Sequence, residues 1–423
     1  MGDAGDSLRV EQGGDVGRLR LAYQRAPPGA ASFSATYVGP AGWGYDETGS
    51  EGTARIANHL LTTAAGPYDR VALARHLDRS GATLSRQSSP EAGEVTIWGP
   101  SEGWSSLLEL LATVVQRPRF DADDLARIRR QMAERQLRER TQPGSRAEWE
   151  LLHAVYPKGH PYRESGLGDR RSLARIRRDT LLHFHRRHYT ARDAALVVTT
   201  TASLRAVERA ARDAFGSLRD SPVGELDLPA VSRGAPRRVE VNLPGRSQVE
   251  VRLGGASIAQ SSPEYPGGFL ANEALGGRPM LGRLFQRVRE ANGLAYHASS
   301  HLDTMRLGGT WTAGAGTGPD RWKKVVPMLE EEVDRLRHQG VPAPELASVR
   351  ESAIGEIPLS LESTSDAHAL AVDVAYHRLP ADFWLTWPTR LRALRPRDVR
   401  RGAEAAFARE GSLTVVVGPI GPR

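Results

Sequence analysis

Alternation of apolar and polar residues marks short strands at matching places in the two halves of the chain. The first half opens on "LRLAYQRA" and "SFSATYVG", the second on "RRVEVNL" and "SQVEVRLGG", all with a period of two. A helical segment follows in each, "GTARIANHLL" and "PGGFLANEALGG". Then come a Gly-led strand ("GATLSRQSS", "GLAYHASSH") and a further strand ("GEVTIWG", "LGGTWTAGAG"). Longer helices begin at "WSSLLELLATVV" and "WKKVVPMLEEEVDRL", and each half closes on an apolar strand, "DAALVVTT" and "GSLTVVVGP". The Pro/Gly-rich stretch "RDSPVGELDLPAVSRGAPRR" separates the two series. The pattern predicts an α+β protein of two homologous α/β-roll domains, each a mostly antiparallel sheet with helices on one face. They are expected at residues 1–218 and 239–423, joined by a linker at 219–238.

A length of 423 residues agrees with more than one core. The absence of cysteine removes disulfides, thiolate metal sites and a cysteine nucleophile. A net charge of +7 raises nucleic acid as a partner. The basic side chains, nearly all Arg, are however interspersed with acidic ones, as in "DADDLARIRRQMAERQLRER", so no nucleic-acid partner is expected. No run of about 18 apolar residues predicts a membrane span. The polar start "MGDAGDSLRVEQGGD" has no signal-peptide core, which points to the cytoplasm unless a leader has been trimmed.

In "RIANH", Arg55, Asn58 and His59 stand at i, i+3 and i+4 on one helical face. A helical His-x-x-Glu-His in this frame supplies two zinc ligands and a general base. Arg has no lone pair to give and Asn cannot take a proton from water, so only His59 retains ligand chemistry. From spacing alone, His59 reads as an ordinary packed or surface histidine.

The segments "GATLSRQSS", "LLHAVYPKGHPYRESGLG", "FHRRHYTARDAALVV" and "LGGRPMLGRLFQRVREANGLAY", in this order within two echoing halves, resemble the pitrilysin/insulinase family of zinc peptidases in its short bacterial form. The resemblance covers nearly the whole chain. It implies two halves closing as a clam shell around a chamber, with the zinc motif falling on Arg55, Asn58 and His59. The family's third ligand, a Glu roughly 75 residues beyond the second His, aligns with Arg135; the neighbouring Glu134 would point about 100° away around a helix. The family's Arg and Tyr, seven positions apart in its second half, match Arg289 and Tyr296, implying substrate orientation and transition-state stabilisation. Substrate in the family adds as a strand at a sheet edge, here "GATLSRQSS", where Ser85-Arg86 replaces the favoured Asn-Ala; "AYHASSH" is the matching edge of the second half.

These implications make the chain a zinc-free subunit, without cofactor of its own, of a heterodimeric metallopeptidase. The zinc is expected in a homologous partner subunit, a peptide is the substrate, and the isolated chain is open to homodimer formation. A non-catalytic scaffold of the same fold, the role of relatives in mitochondrial respiratory complexes, is the alternative. A third reading keeps activity through an unusual site at His59, Glu134 or the cluster His183, His185 and His188 in "HFHRRH". That cluster lacks a further ligand at an obvious spacing. "AGAGTGPDRW" lacks both Gly-x-Gly-x-x-Gly and the P-loop Lys-Ser/Thr, and reads as a strand-to-helix turn. The glycines of "LGGRPMLGRL" either loosen a loop or end a helix.

Overall fold

The structure, a computed structural model, describes residues 8–421 other than 28 and 233. Its strands are β1 (Val10–Gln12), β2 (Arg20–Arg25), β3 (Ser32–Gly39), β4 (Thr83–Ser88), β5 (Gly93–Pro100), β6 (Ala195–Thr200), β7 (Arg237–Asn242), β8 (Val249–Ser257), β9 (Ala295–Thr304), β10 (Gly309–Thr317) and β11 (Leu413–Gly418). The helices of the first half are α1 (Thr53–Leu61), α2 (Arg70–Ser80), α3 (Trp104–Gln116), α4 (Ala122–Thr141), α5 (Pro143–Val155), α6 (Arg170–Arg175), α7 (Arg178–His188) and α8 (Leu204–Phe215). Those of the second are α9 (Tyr265–Asn272), α10 (Trp322–Gln339), α11 (Ala343–Leu359), α12 (Thr364–His377), α13 (Phe383–Ala393) and α14 (Pro396–Ala406). No described helix is long and apolar enough to cross a membrane.

The repeat read from the sequence is a repeat of topology. One sheet has the order β1-β2-β6-β3-β5-β4, the other β7-β11-β8-β10-β9. Apart from β1, strands occupy corresponding places: the closing strand of each half inserts between the first two, parallel to one and antiparallel to the other. β4 and β9, the strands read as peptide-accepting edges, are sheet edges in both cases.

The compact units are not the contiguous halves. One contains residues 1–134, 165–227 and 357–386; the other contains 135–164, 228–356 and 387–423. Each sheet therefore carries a helix from the opposite half in addition to its own. In the first unit, Phe33, Tyr37, Ile97 and Val198 pack with Ile56, Leu60, Leu108 and Leu111 of α1 and α3. The other face of that sheet receives α12 against β6, β3 and β2. In the second unit, Leu413, Val415 and Val417 of β11 pack with Ala147, Leu151 and Val155 of α5. On the opposite face Trp311 of β10 stacks near Phe407, with ring centroids 5.5 Å apart. The one-faced helical layer expected for each sheet is thus joined by a second layer. The physical reason lies in β6 and β11, whose six residues are all buried and demand cover on both faces.

Candidate functional site

Helix α1 starts without a side-chain cap at Gly52, whose φ of 101° a residue with a Cβ rarely adopts. Asp46 supplies the missing acceptor from outside the helix, taking hydrogen bonds from the backbone N–H groups of Gly52 (2.7 Å) and Ala54 (2.8 Å). Burial pushes the Asp46 carboxyl up to about 7, against the opposing effect of those two hydrogen bonds. Ile56, Ala57, Leu60 and Leu61 bury the apolar face of the helix and fix its rotation.

That rotation decides what the three motif positions can do. Asn58 is only 2% exposed. Its Nδ2 donates to the Glu94 carbonyl (3.1 Å) and to the Tyr189 hydroxyl (3.3 Å), so the amide ties the helix to β5 and to the end of α7. Burial raises the Glu94 carboxyl to about 7 and drives the Tyr189 phenol well above its ordinary value. Arg55 turns its Nε to the Ser165 carbonyl (2.7 Å) and lays its guanidinium 4.3 Å from the centre of the Trp43 ring. His59 meets Arg86 of the edge strand β4: Nη2 lies 2.7 Å from Nδ1 and 3.1 Å from Nε2, and Nη1 donates to Thr62 Oγ1 (3.1 Å). Guanidinium only donates, so the His59 nitrogen it bonds must offer its lone pair to an internal cation. Sequence reasoning noted Arg86 as a departure at the edge strand but did not connect it to His59.

Glu134 and Arg135 are both exposed on α4, where the chain passes from one compact unit to the other. Among the described residues, no three His, Asp or Glu side chains gather in a way that could hold a metal ion. The "HFHRRH" histidines go separate ways. His183 approaches Glu47 (3.5 Å), His185 Nε2 bonds the Val115 carbonyl (2.7 Å) and His188 Nδ1 bonds the Pro40 carbonyl (3.2 Å). Burial lowers His185 and His188 to about 4 each, so both are neutral donors to backbone oxygen. "AGAGTGPDRW" is the end of β10 and the turn into α10.

In the second unit, "LGGRPMLGRLFQRVREANGLAY" begins within a π-helical turn, Glu273–Gly277, and forms a second, Phe285–Glu290, before β9. Met280 between them adopts a positive φ of 63°. π turns and strained backbone concentrate at functional sites. Arg289 lies exposed on the second π turn, its guanidinium 5.0 Å from the centre of the Phe285 ring. Its carbonyl accepts the Gly293 N–H (2.9 Å), which closes the turn leading into β9. Tyr296 is 60% exposed near the start of β9. There Gly316 of β10 pairs with His297 and the next residue, Thr317, pairs with Ala295. Tyr296 is therefore the extra residue of a β-bulge, a device that re-aims side chains at a sheet edge. Arg289 and Tyr296 sit on successive elements of one unit, both open to solvent.

Comparison with known proteins bears on the family and the fold. Residues 20–168 match the family model described as insulinase (peptidase family M16), and residues 175–353 match that of the peptidase M16 inactive domain. A Mycobacterium tuberculosis protein named an uncharacterized zinc protease is 25% identical over 317 residues, 74% of this chain and 72% of that one. One of the same description from Streptomyces coelicolor is 30% identical over 254 residues, 57% of this chain and 53% of that one. Among solved structures, a peptidase M16 inactive domain from Pseudomonas fluorescens superposes with a TM-score of 0.90 at 22% identity, covering 98% of both chains. A protease from Helicobacter pylori superposes with a TM-score of 0.88 at 18% identity, covering 97% of this chain and 99% of that one.

Proposed function

This chain belongs to the M16 (insulinase) peptidase family, and we propose that within it the chain is a zinc-free, substrate-holding subunit whose homologous partner carries the zinc. The observation that carries this reading is the guanidinium of Arg86 bonded to His59, the one residue of "RIANH" with ligand chemistry. Zinc needs a set of neutral or anionic donors. The motif positions here offer an Arg stacked on Trp43, a buried Asn tied to a backbone carbonyl, and a His already engaged by a cation. This donor set does not fit the ion.

What the chain offers instead is on the other unit. Arg289 presents a fork of N–H donors and Tyr296 a phenolic hydroxyl, both exposed. Such groups hold a peptide carbonyl and, better still, the oxyanion that forms as it is attacked. Water activation would come from the partner subunit. Under the alternative, a scaffold, Arg289 and Tyr296 are dispensable.

The reading is tested by metal analysis and sedimentation. The purified chain, dialysed against zinc, is expected to hold well below one equivalent, with no loss on His59→Ala. Mixed with a homologue bearing intact His-x-x-Glu-His, it is expected to sediment as a one-to-one complex. Stoichiometric zinc lost with His59→Ala would overturn the zinc-free assignment, and failure to associate would overturn the subunit assignment.

A further inference from the structure

The bulge that exposes Tyr296 has its own support in residues that face across the sheet. His297, the next residue of β9, has a half-exposed side chain. It faces Gly316 on the central neighbour β10, and Gly316 in turn faces Glu250 on β8. A Cβ at Gly316 would clash with His297 Cε1. The missing side chain is what lets the imidazole lie across β10 and bring Nε2 to 3.5 Å from Glu250 Oε1. Glu250 is anchored in turn: Arg252 Nη2 lies 3.1 Å from the same oxygen, and Arg252 Nη1 is 2.5 Å from Glu148 of α5. A chain of charges thus runs from a helix of the first half, across three strands, to the residue beside Tyr296.

We propose that His297 is a positioning residue for Tyr296: held at Glu250 over Gly316, its ring pins the bulge that turns the phenol out of the sheet edge. The consequence for peptide cleavage rests on the substrate-holding role of Tyr296 proposed above; the coupling between the two side chains does not. Glu250 and Arg252 of β8 act on His297, Glu148 of α5 lies behind Arg252, and Ser299, His301 and Asp303 stand farther along the same face of β9. Among them Glu250 dominates: its hydrogen bond, and then its charge, raise the His297 pKa above the ordinary value, against burial and the charge of Arg252. Burial works to raise Glu250, but His297 and Arg252 outweigh it and hold the carboxyl below its usual range. The pin is therefore fully present below the ordinary histidine pKa, near 6.5, and is released as pH rises through the higher folded value.

The test uses the full chain with 13C-labelled tyrosine and histidine rings, signals being assigned with Tyr296→Phe and His297→Gln. The Tyr296 ring signal is expected to move with the His297 titration, at one shared midpoint above 6.5. Glu250→Gln removes the partner while keeping its size. Gly316→Ala places a methyl against the imidazole while leaving the Tyr296 side chain itself unchanged. Both are expected to lower the midpoint and uncouple the Tyr296 signal. A Tyr296 signal that is flat with pH, or coupling that survives both substitutions, would overturn the proposal.

A kinetic arm reads the functional consequence in the mixture with the zinc-bearing homologue. KM for a peptide, taken as the ratio of Glu250→Gln to wild type, is expected to be about threefold at pH 6 and to approach one by pH 8.5, as for a half-exposed ion pair. If Tyr296→Phe slows cleavage but this ratio is flat, the positioning role fails and the subunit reading stands. If the chain adds nothing to cleavage, the subunit reading fails and the ring signals alone decide the coupling.

Discussion

His368 offers the sharpest test of how a helix from one half is held on the sheet of the other. It sits on α12, 4% exposed. Its Nε2 lies 2.7 Å from Thr36 Oγ1 on β3 and its Nδ1 lies 2.8 Å from Thr199 Oγ1 on β6. Thr36 also meets Thr96 Oγ1 (2.7 Å), and Thr199 donates to Gln24 Oε1 (2.9 Å). A neutral imidazole has one donor and one acceptor, and the two hydroxyls satisfy both; it is burial, not a missing acceptor, that opposes the charged ring. Burial pushes its pKa down to about 3. A depressed histidine contributes its full stability above the unfolded pKa, near 6.5, and loses it as pH falls toward the folded value. Between pH 7.5 and 5 the linkage removes about 2 kcal/mol. His368→Gln keeps a donor and an acceptor but cannot titrate. At pH 7.5 we expect it to cost roughly 1–3 kcal/mol for imperfect geometry. At pH 5 that penalty should shrink by about 2 kcal/mol, because only the wild type pays for protonation. Hydrogen exchange of the β3 and β6 amides, corrected for intrinsic rates, reads this opening free energy locally and needs no two-state unfolding of a 423-residue chain. Other titrating groups cancel in the difference between the two proteins. A penalty equal at both pH values would refute the assignment of His368 as a buried neutral clasp.

Further outcomes follow from other contacts. Asn58→Asp replaces the amide that donates to the Glu94 carbonyl with an acceptor in a site 2% exposed. It should cost about 2–4 kcal/mol and lower the urea midpoint, without conferring zinc binding. Leu151→Ala empties a fully buried site beneath β11. It should cost about 2–5 kcal/mol and speed exchange in β8 and β11 while leaving β3 and β6 protected. Lowering the pH from 6.5 to 4.5 should loosen α7 ahead of α10, because His185 and His188 are buried as neutral groups with pKa values of about 4. Exchange of the two helices at several pH values checks this.

The repeat was legible because it rests on local patterning. Alternation in "SFSATYVG" and "SQVEVRLGG" located β3 and β8, and their neighbours occupy matching places in both sheets. The short β1 lay outside that pattern. Exchange of helices between halves was not read, because the contact of Leu151 with the β11 face joins residues far apart in the chain. A signal was nevertheless present: "ALVVTT" and "LTVVVG" are continuous rather than alternating runs, the mark of strands covered on both faces. At the site, the loss of ligand chemistry at Arg55 and Asn58 is a property of residue type and could be read directly. The meeting of Arg86 with His59 needs an edge strand folded back over a helix. The bulge at Tyr296 needs the register of β9 on β10, which a seven-residue spacing does not encode.

If this chain supplies Arg289 and Tyr296 to a site completed by a zinc-bearing partner, cleavage needs both proteins. Cleavage of a quenched peptide library by this chain alone, by the His-x-x-Glu-His homologue alone and by their mixture measures it most directly, with Arg289→Ala and Tyr296→Phe run in parallel. Cleavage in the mixture is expected far above the sum of the separate proteins, reduced by each substitution on the order of tenfold or more. Equal cleavage by the homologue alone, or substituted chains that match wild type, would contradict it and leave the chain a scaffold.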